Sequence, residues 1–296
     1  KIQDLYMKYF PPSELIINAD GSIFHLHLKP GHLADNVILV GDPGRVALVA
    51  SYFDSQEFSI SNREFNTITG NYKGKRITVL STGIGTDNID IVMNELDALA
   101  NIDFQTRTEK PEFKALNIIR IGTTGALQPD IPLGSFLISE KSIGFDGMIN
   151  FYAGRDAVCD LAFEKALVKH LDWNPQLAAP YVVDADAALV EQIGQDDMVR
   201  GVTISANGFY GPQGRELRVG LADPVLNSKI ESFRYGDYKI TNYEMEGSAI
   251  AGLAKLMGGH KAMTVCCVIA NRRISTANTD YTPYIKQLIQ KVLDRI

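Results

Sequence analysis

Three cysteines in 296 residues are too few for a disulfide framework. Cys266 and Cys267 are adjacent inside an apolar run, which suits small buried hydrophobes better than paired thiols. With Cys159 they point to a reducing compartment, so the expected location is cytoplasmic. Positive charge is also scarce: 29 Lys and Arg face 35 Asp and Glu, a formal net charge of −6. Recognition of bulk nucleic acid draws on a basic surface, so no nucleic acid partner is expected. A small anion is still allowed, because one pocket can carry the opposite sign to the whole chain. No uninterrupted apolar run marks residues 1–12 as a signal peptide. The most apolar long window, residues 249–270, contains Lys255, His260 and Lys261, so no membrane span is expected.

Several chemical signatures are missing as well. There is no phosphate loop of the G-x-x-x-x-G-K-[ST] kind and no G-x-S-x-G elbow. Gly83-Ile84-Gly85 begins a G-x-G-x-x-G pattern, but Asn88 stands in the place of its third glycine. His25 and His27 would share a strand face, yet no H-E-x-x-H or C-x-x-C accompanies them, so no metal site is expected. No repeat and no Pro/Gly/Ser linker divides the chain.

What is present is an alternation of short β-branched runs and helical patterns. Residues 37–40, 117–121, 135–143, 181–183, 202–205 and 262–270 read as strands, and Phe65–Tyr72 with 77–80 as a hairpin across Lys73-Gly74. Residues 45–53 and 88–103, the run around Phe163 and Leu167, the segment after Glu246, and Ile285, Leu288, Ile289, Val292, Leu293 and Ile296 have helical spacing. This rhythm predicts an α/β fold. Residues 1–20 read as an N-terminal extension, 21–296 as a single catalytic domain, and 105–114 as a polar surface insertion.

Four segments carry chemistry. Gly41-Asp42-Pro43-Gly44-Arg45 joins a strand to a helix, where backbone N–H groups and a guanidinium could hold an anion; the plainer reading is a tight turn. Arg120 interrupts an apolar strand that runs into Gly122-Thr123-Thr124-Gly125. A buried charge is costly unless it meets a carboxylate or a bound anion, and both partners are open. Glu244-Met245-Glu246 precedes a helix. A carboxylate there could accept from both hydroxyls of a ribose, or simply favour the helix dipole. In Phe209-Tyr210-Gly211-Pro212-Gln213-Gly214-Arg215, an extended chain would aim Gln213 and Arg215 to one side, where amide and guanidinium could read a ring bearing carbonyls and N–H groups.

Taken in order, these segments resemble the nucleoside phosphorylase-I family from about residue 23 to residue 273. The shared motifs are Gly-Asp-Pro-x-Arg at 41–45, Arg-Glu-Phe at 63–65, Ser-Thr-Gly-Ile-Gly at 81–85, Arg-Ile-Gly-Thr-Thr-Gly at 120–125 and Tyr-Glu-Met-Glu at 243–246. The resemblance implies a central mixed β-sheet flanked by helices and reversible phosphorolysis of uridine to uracil and ribose 1-phosphate, as in pyrimidine salvage. It implies phosphate binding by Gly41, Arg45, Arg120 and Thr123, with Arg63 reaching in from a neighbouring subunit. Ribose would be held by Met245 and Glu246, with His25 approaching the 5′-hydroxyl across the same interface. Phe209, Gln213, Arg215 and Arg272 would face the base. It further implies self-association, as a dimer or a hexamer of dimers, with phosphate as co-substrate and no other cofactor.

Three departures bear on these expectations. The purine-cleaving branch and the hydrolytic nucleosidases of this fold place an Asp where this chain has Asn271, and an amide cannot act as an acid. Gly214 separates Gln213 from Arg215 where many bacterial relatives carry Glu. Asn88 replaces a Ser that, in some bacterial members, helps bind a monovalent cation near Glu64 and Ile84. A purine enzyme, a nucleosidase and a non-catalytic nucleoside sensor are the competing readings; the last is disfavoured by Arg45, Arg120 and Glu246 standing together.

Overall fold

Among the described residues most apolar runs form strands of one sheet, and amphipathic runs form helices packed on it. A computed structural model describes residues 7–296. The strands are β1 (Asn36–Val40), β2 (Ser55–Asn62), β3 (Phe65–Tyr72), β4 (Lys75–Ser81), β5 (Ile102–Asp103), β6 (Thr108–Glu109), β7 (Asn117–Ala126), β8 (Phe136–Gly144), β9 (Tyr181–Asp184), β10 (Val199–Ser205), β11 (Arg234–Tyr235), β12 (Tyr238–Glu244), β13 (Lys261–Asn271) and β14 (Thr276–Ala277). The helices are α1 (Pro43–Ala50), α2 (Thr86–Asn101), α3 (Arg155–Val158), α4 (Leu161–Leu171), α5 (Ala187–Gly194), α6 (Leu226–Ser232), α7 (Gly247–Leu256) and α8 (Thr282–Arg295).

The main sheet is mixed and runs β11-β12-β10-β8-β13-β7-β1-β4-β3-β2, with β9 on β8 and β14 on β13. A further pairing of β12 with β7 closes β7, β12, β10, β8 and β13 into a ring. One apolar layer packs α2 and α7 on one side of the sheet, and a second packs α1, α5 and α8 on the other. The parallel strands β4, β1 and β7 align Ser81 with Val40 and Val40 with Ile121. Their C-terminal ends therefore bring Thr82-Gly83, Gly41-Asp42 and Gly122-Thr123 side by side, the edge at which α/β sheets bind ligands.

The structure differs from the sequence reading in several places, helices α5 and α6 among them, which had no counterpart there. Residues 122–125 are not a turn but the continuation of β7, because β13 pairs with them through Ala126. Strands β2 and β12 lack a clear apolar alternation and were not expected. His25 and His27 lie in a turn, with His27 at φ 54°, so they share no strand face. Gln213 ends a 3-10 turn and Gly214 is left-handed at φ 67°, so the 213–215 segment is not extended. At the 105–114 insertion, β5 and β6 pair, and Tyr9 bridges Thr108 while the Phe10 N–H donates to the Arg107 carbonyl at 2.8 Å. The N-terminal segment thus contacts the insertion through Tyr9 and Phe10, and residues 1–6 lie outside the described residues.

Candidate active site

Arg120 is the centre of the buried charge. It sits mid-strand on β7, flanked in register by Leu39 of β1 and Thr264 of β13. Its guanidinium folds back along its own strand over Gly122, where any Cβ would overlap it. That overlap is why glycine follows two residues after the arginine. One Nη pairs with Glu246, and the other lies 3.2 Å from Glu244. Burial alone would lower the Arg120 pKa; the two carboxylates outweigh it and raise it, so the guanidinium stays charged. Two carboxylates thus share one guanidinium in a buried site. Burial, with Glu244 added, accordingly pushes the Glu246 carboxyl above its ordinary range despite Arg120.

Glu246 is placed by local chemistry. It ends the loop before α7 and accepts the Gly85 N–H at 2.8 Å, which ties it to the loop after β4. Glu244 accepts the N–H groups of Glu246 and Gly247 at 2.9 and 2.8 Å and the Ser205 hydroxyl. It thereby satisfies the open end of α7 while also facing Arg120. Arg45 starts α1, whose Asp42 cap accepts the Gly44 N–H at 2.8 Å. Among the described residues Arg45 forms no ion pair; burial, with Arg120 nearby, lowers its pKa. Gly41 and Thr123 are half-buried beside it, whereas the Thr124 hydroxyl is already used on the Tyr243 carbonyl at 2.5 Å. Arg45 and the ends of β1 and β7 therefore form a half-buried cationic corner near the Arg120–Glu246 pair.

Three of the four residues expected at the base, Phe209, Gln213 and Arg215, gather on one loop. The Arg215 Nη1 donates to the Gln213 Oε1 at 2.6 Å and to the Phe209 carbonyl at 2.7 Å, and its guanidinium stacks on the Phe209 ring at 3.8 Å. Gln213 is buried and Phe209 is half exposed. Arg272 follows β13, and its guanidinium donates to the backbone carbonyls of Gln213 and Gly214. Burial lowers the pKa of both Arg215 and Arg272, and the nearby Arg272 charge lowers that of Arg215 further. Arg272 lies against Gly125 at the end of β7, so the loop is fastened to the strand that carries Arg120. Asn271 is fully committed elsewhere. Its Nδ2 donates to the carbonyls of Gln128 and Ile131, both at 2.9 Å, and its Oδ1 accepts the Arg273 N–H at 3.0 Å.

Residues 35–295 match the sequence pattern of the Phosphorylase superfamily. The chain belongs to that family. It is similar to the uridine phosphorylase of Thermococcus kodakarensis, 32% identical over 255 residues that cover 86% of this chain and 79% of the relative. It is also similar to the uridine phosphorylase of Haemophilus influenzae, 30% identical over 274 residues that cover 92% and 94%. Among solved structures, a Trypanosoma brucei nucleoside phosphorylase described as showing uridine phosphorylase activity superposes with a TM-score of 0.82 at 29% identity, over 95% of this chain and 99% of that one.

Two residues of this phosphorylase stand apart from the centre. Arg63 is exposed at the β2–β3 turn, with a left-handed φ of 53°. His25 borders a separate groove of about 690 Å³ together with Phe24, Glu95, Phe113 and Leu256, and none of Arg45, Arg120, Glu246 or Gln213 lines it. The two are neighbours, since the Asn62 side chain donates to the His25 carbonyl at 2.7 Å. Neither bonds to the Arg120–Glu246 pair within the chain. Glu95 was missed in the sequence. It lies on α2, pairs with the His25 Nδ1 at 2.6 Å and accepts the Leu26 N–H at 2.9 Å, which turns the His25 Nε2 outward. Glu244 was noted only as a partner in an acidic pair. The His25 contact of Glu95 and the Arg120 contact of Glu244 have no linear signal, because each joins residues far apart in sequence. No group of three or more His, Cys, Asp or Glu side chains among the described residues is arranged to hold a metal ion. No helix among them is long and apolar enough to cross a membrane.

Proposed function

We propose that this phosphorylase cleaves uridine with phosphate, giving uracil and ribose 1-phosphate, a reaction that serves pyrimidine salvage. The observation that carries the reading is the Gln213–Arg215 pair, joined at 2.6 Å and fastened through Arg272 beside the strand of Arg120. Arg45, Arg120 and Thr123 would hold the phosphate against C1′, with Gly41 letting the backbone approach it. Met245 would pack on the ribose, and Glu246 would accept its hydroxyls while its charge favours an oxocarbenium-like sugar. The C1′–N1 bond breaks with its electron pair leaving on the uracil, where the donors of Gln213 and Arg215 stabilise the negative charge. Phosphate oxygen then bonds to C1′. No covalent enzyme intermediate enters; the chain contributes alignment and electrostatics.

A purine reading is disfavoured by Asn271, whose amide hydrogens are both taken by backbone carbonyls. We further propose that the protein works in the cytoplasm as a homo-oligomer. The three free thiols support the first. The second is supported by Arg63 and His25 lying next to each other but away from the centre, where they could complete the site of a second copy. Base release from uridine, thymidine, deoxyuridine and inosine, with and without phosphate, tests the reading. Phosphate-dependent release of uracil is expected. Release without phosphate, or a preference for inosine, would overturn it.

A further inference from the structure

The family resemblance brings with it a monovalent-cation position near Glu64, Ile84 and Asn88, and the residues present do not fit a cation there. Asn88 lies in the first turn of α2. Its Nδ2 donates to the Glu64 Oε1 at 3.1 Å and to the Thr82 carbonyl at 2.8 Å. A carboxylate and a carbonyl are both acceptors, so the amide nitrogen, not its oxygen, must face them. Gly83, left-handed at φ 70°, lies directly against this amide. A Cβ there would come within 2.5 Å of the Asn88 Nδ2 and 3.1 Å of the Glu64 Cγ. The NH₂ group is thus enclosed by Thr82, Gly83 and Glu64. A hard cation needs oxygen ligands. Here Glu64 Oε1 and the Thr82 carbonyl already receive hydrogens from the Asn88 amide, so its NH₂ stands where an oxygen ligand would be needed.

We propose that the Asn88 amide does in this protein the cross-linking that a bound monovalent cation would do, and that the protein is therefore independent of such cations. The link matters because of what it joins. Glu64 follows Arg63 directly, and its carbonyl accepts the Ser81 hydroxyl at 2.6 Å. The Thr82 N–H donates to the Val40 carbonyl at 2.8 Å, and the Gly83 carbonyl lies 3.5 Å from where a Cβ of Gly41 would stand. Asn88 therefore holds the Arg63 turn, the loop after β4 and the first turn of α2 in one arrangement, beside the cationic corner at Gly41 and Arg45. It is a positioning residue, touching neither phosphate nor nucleoside. An amide is also permanent where a cation exchanges, so the arrangement should not depend on salt composition.

The test compares the parent with Asn88→Ser and Asn88→Ala in buffers whose cation is potassium, sodium or choline at equal ionic strength. It reads the thermal midpoint and the separate kcat and KM values for phosphate and uridine. The parent should give the same midpoint and the same constants, within about twofold, in all three buffers. Asn88→Ala in choline should lose roughly tenfold in kcat/KM for phosphate, with a much smaller change for uridine, as expected when a supporting contact behind a ligand is removed. Asn88→Ser should recover part of that loss in potassium but not in choline. Potassium stimulation of the parent beyond that of choline would overturn the proposal, as would an Asn88→Ala variant equal to the parent. If Asn88→Ala fails to fold, the parent and Asn88→Ser still decide. The kinetic readout rests on the uridine reading above, but the midpoint does not. A parent that never cleaves uridine refutes that reading, while its melting behaviour in the three buffers still tests Asn88.

Discussion

At the Arg120–Glu246 centre, proposed above for phosphate and ribose, the charged groups stand on strand β7 and around the starts of α1 and α7, and Arg120 meets its carboxylates out of water. At the end proposed for the base, Gln213 and Arg215 stand on a loop whose backbone carbonyls the Arg272 guanidinium grips. Glu246 and Arg120 are almost fully buried, whereas Phe209 and Tyr210 are half exposed and Leu217 and Val219 further along the loop are more than 70% exposed. The difference follows from what each end must do. A charged reaction centre gains strength from excluded water and fixed dipoles. A base must enter and leave, so its contacts belong on a segment that can move without disturbing the sheet.

The contrast can be broken most forcefully at Arg120. Arg120→Ala should cost at least ~10²-fold in kcat/KM, the scale of losing one aimed donor in a dry site. It should also destabilise the fold by about 3–5 kcal/mol, because Glu244 and Glu246 lose their buried counter-charge. Steady-state kinetics beside urea unfolding would check both. An active variant of unchanged stability would mean the two ends are built alike. This joint loss replaces the choice posed by the sequence, in which Arg120 met either a carboxylate or an anion.

Next in size is the response to pH. Burial and Glu244 raise the Glu246 carboxyl, so as pH falls it takes up a proton at a higher pH than an ordinary carboxylate and stops accepting from ribose hydroxyls. KM for the nucleoside should therefore rise on the acid side while KM for phosphate changes less. Glu246→Gln should be weak throughout and flat across that range. An acid limb that persists in Glu246→Gln would assign it to another group.

Arg272→Ala sharpens the contrast from the other end. Without its grip on the Gln213 and Gly214 carbonyls, KM for uridine should rise by about tenfold, and stability should shift by no more than ~1 kcal/mol, the range of an ordinary hydrogen bond. A comparable rise in KM for phosphate would show that the loop and the buried centre are not separable. The smallest effect is expected at Glu95→Gln, which keeps an acceptor for the Leu26 N–H but loses the charge beside His25. A several-fold rise in KM for uridine against 5′-deoxyuridine, read as a ratio, would locate His25 at the 5′-hydroxyl, and an unchanged ratio would remove it from the site.

The distribution of legible and illegible residues follows the same division. Arg120 and Glu246 were readable because a charge in an apolar strand and a carboxylate before a helix break local rules, and such breaks need a compensating partner. The α/β rhythm and the last helix, with its six apolar positions on one face, were readable from periodicity. Strand β12 was not, because its neighbours β10 and β7 fix it through pairing and its own pattern is weak. The Gln213–Arg215 contact was anticipated, but by the wrong geometry: a 3-10 turn and a left-handed glycine bring the side chains together, not an extended chain. Glu95, and the true use of Asn271, depend on partners at least 70 residues away in sequence and leave no local trace.

The pairing of Tyr243 with Gly125 and of Asn242 with Ala126 closes five strands into a ring. An open sheet can shear by slipping one strand edge, but a closed ring cannot change one register without changing all five. The floor that carries Arg120, Glu244 and the root of Arg272 therefore belongs to the slow end of the protein's motions, opening only with the fold itself. The loop that carries Gln213 and Arg215 can move on loop timescales, many orders of magnitude faster. Turnover and unfolding are in this way assigned to different clocks, and amide hydrogen exchange across β7 and β12 would read one while leaving the other untouched.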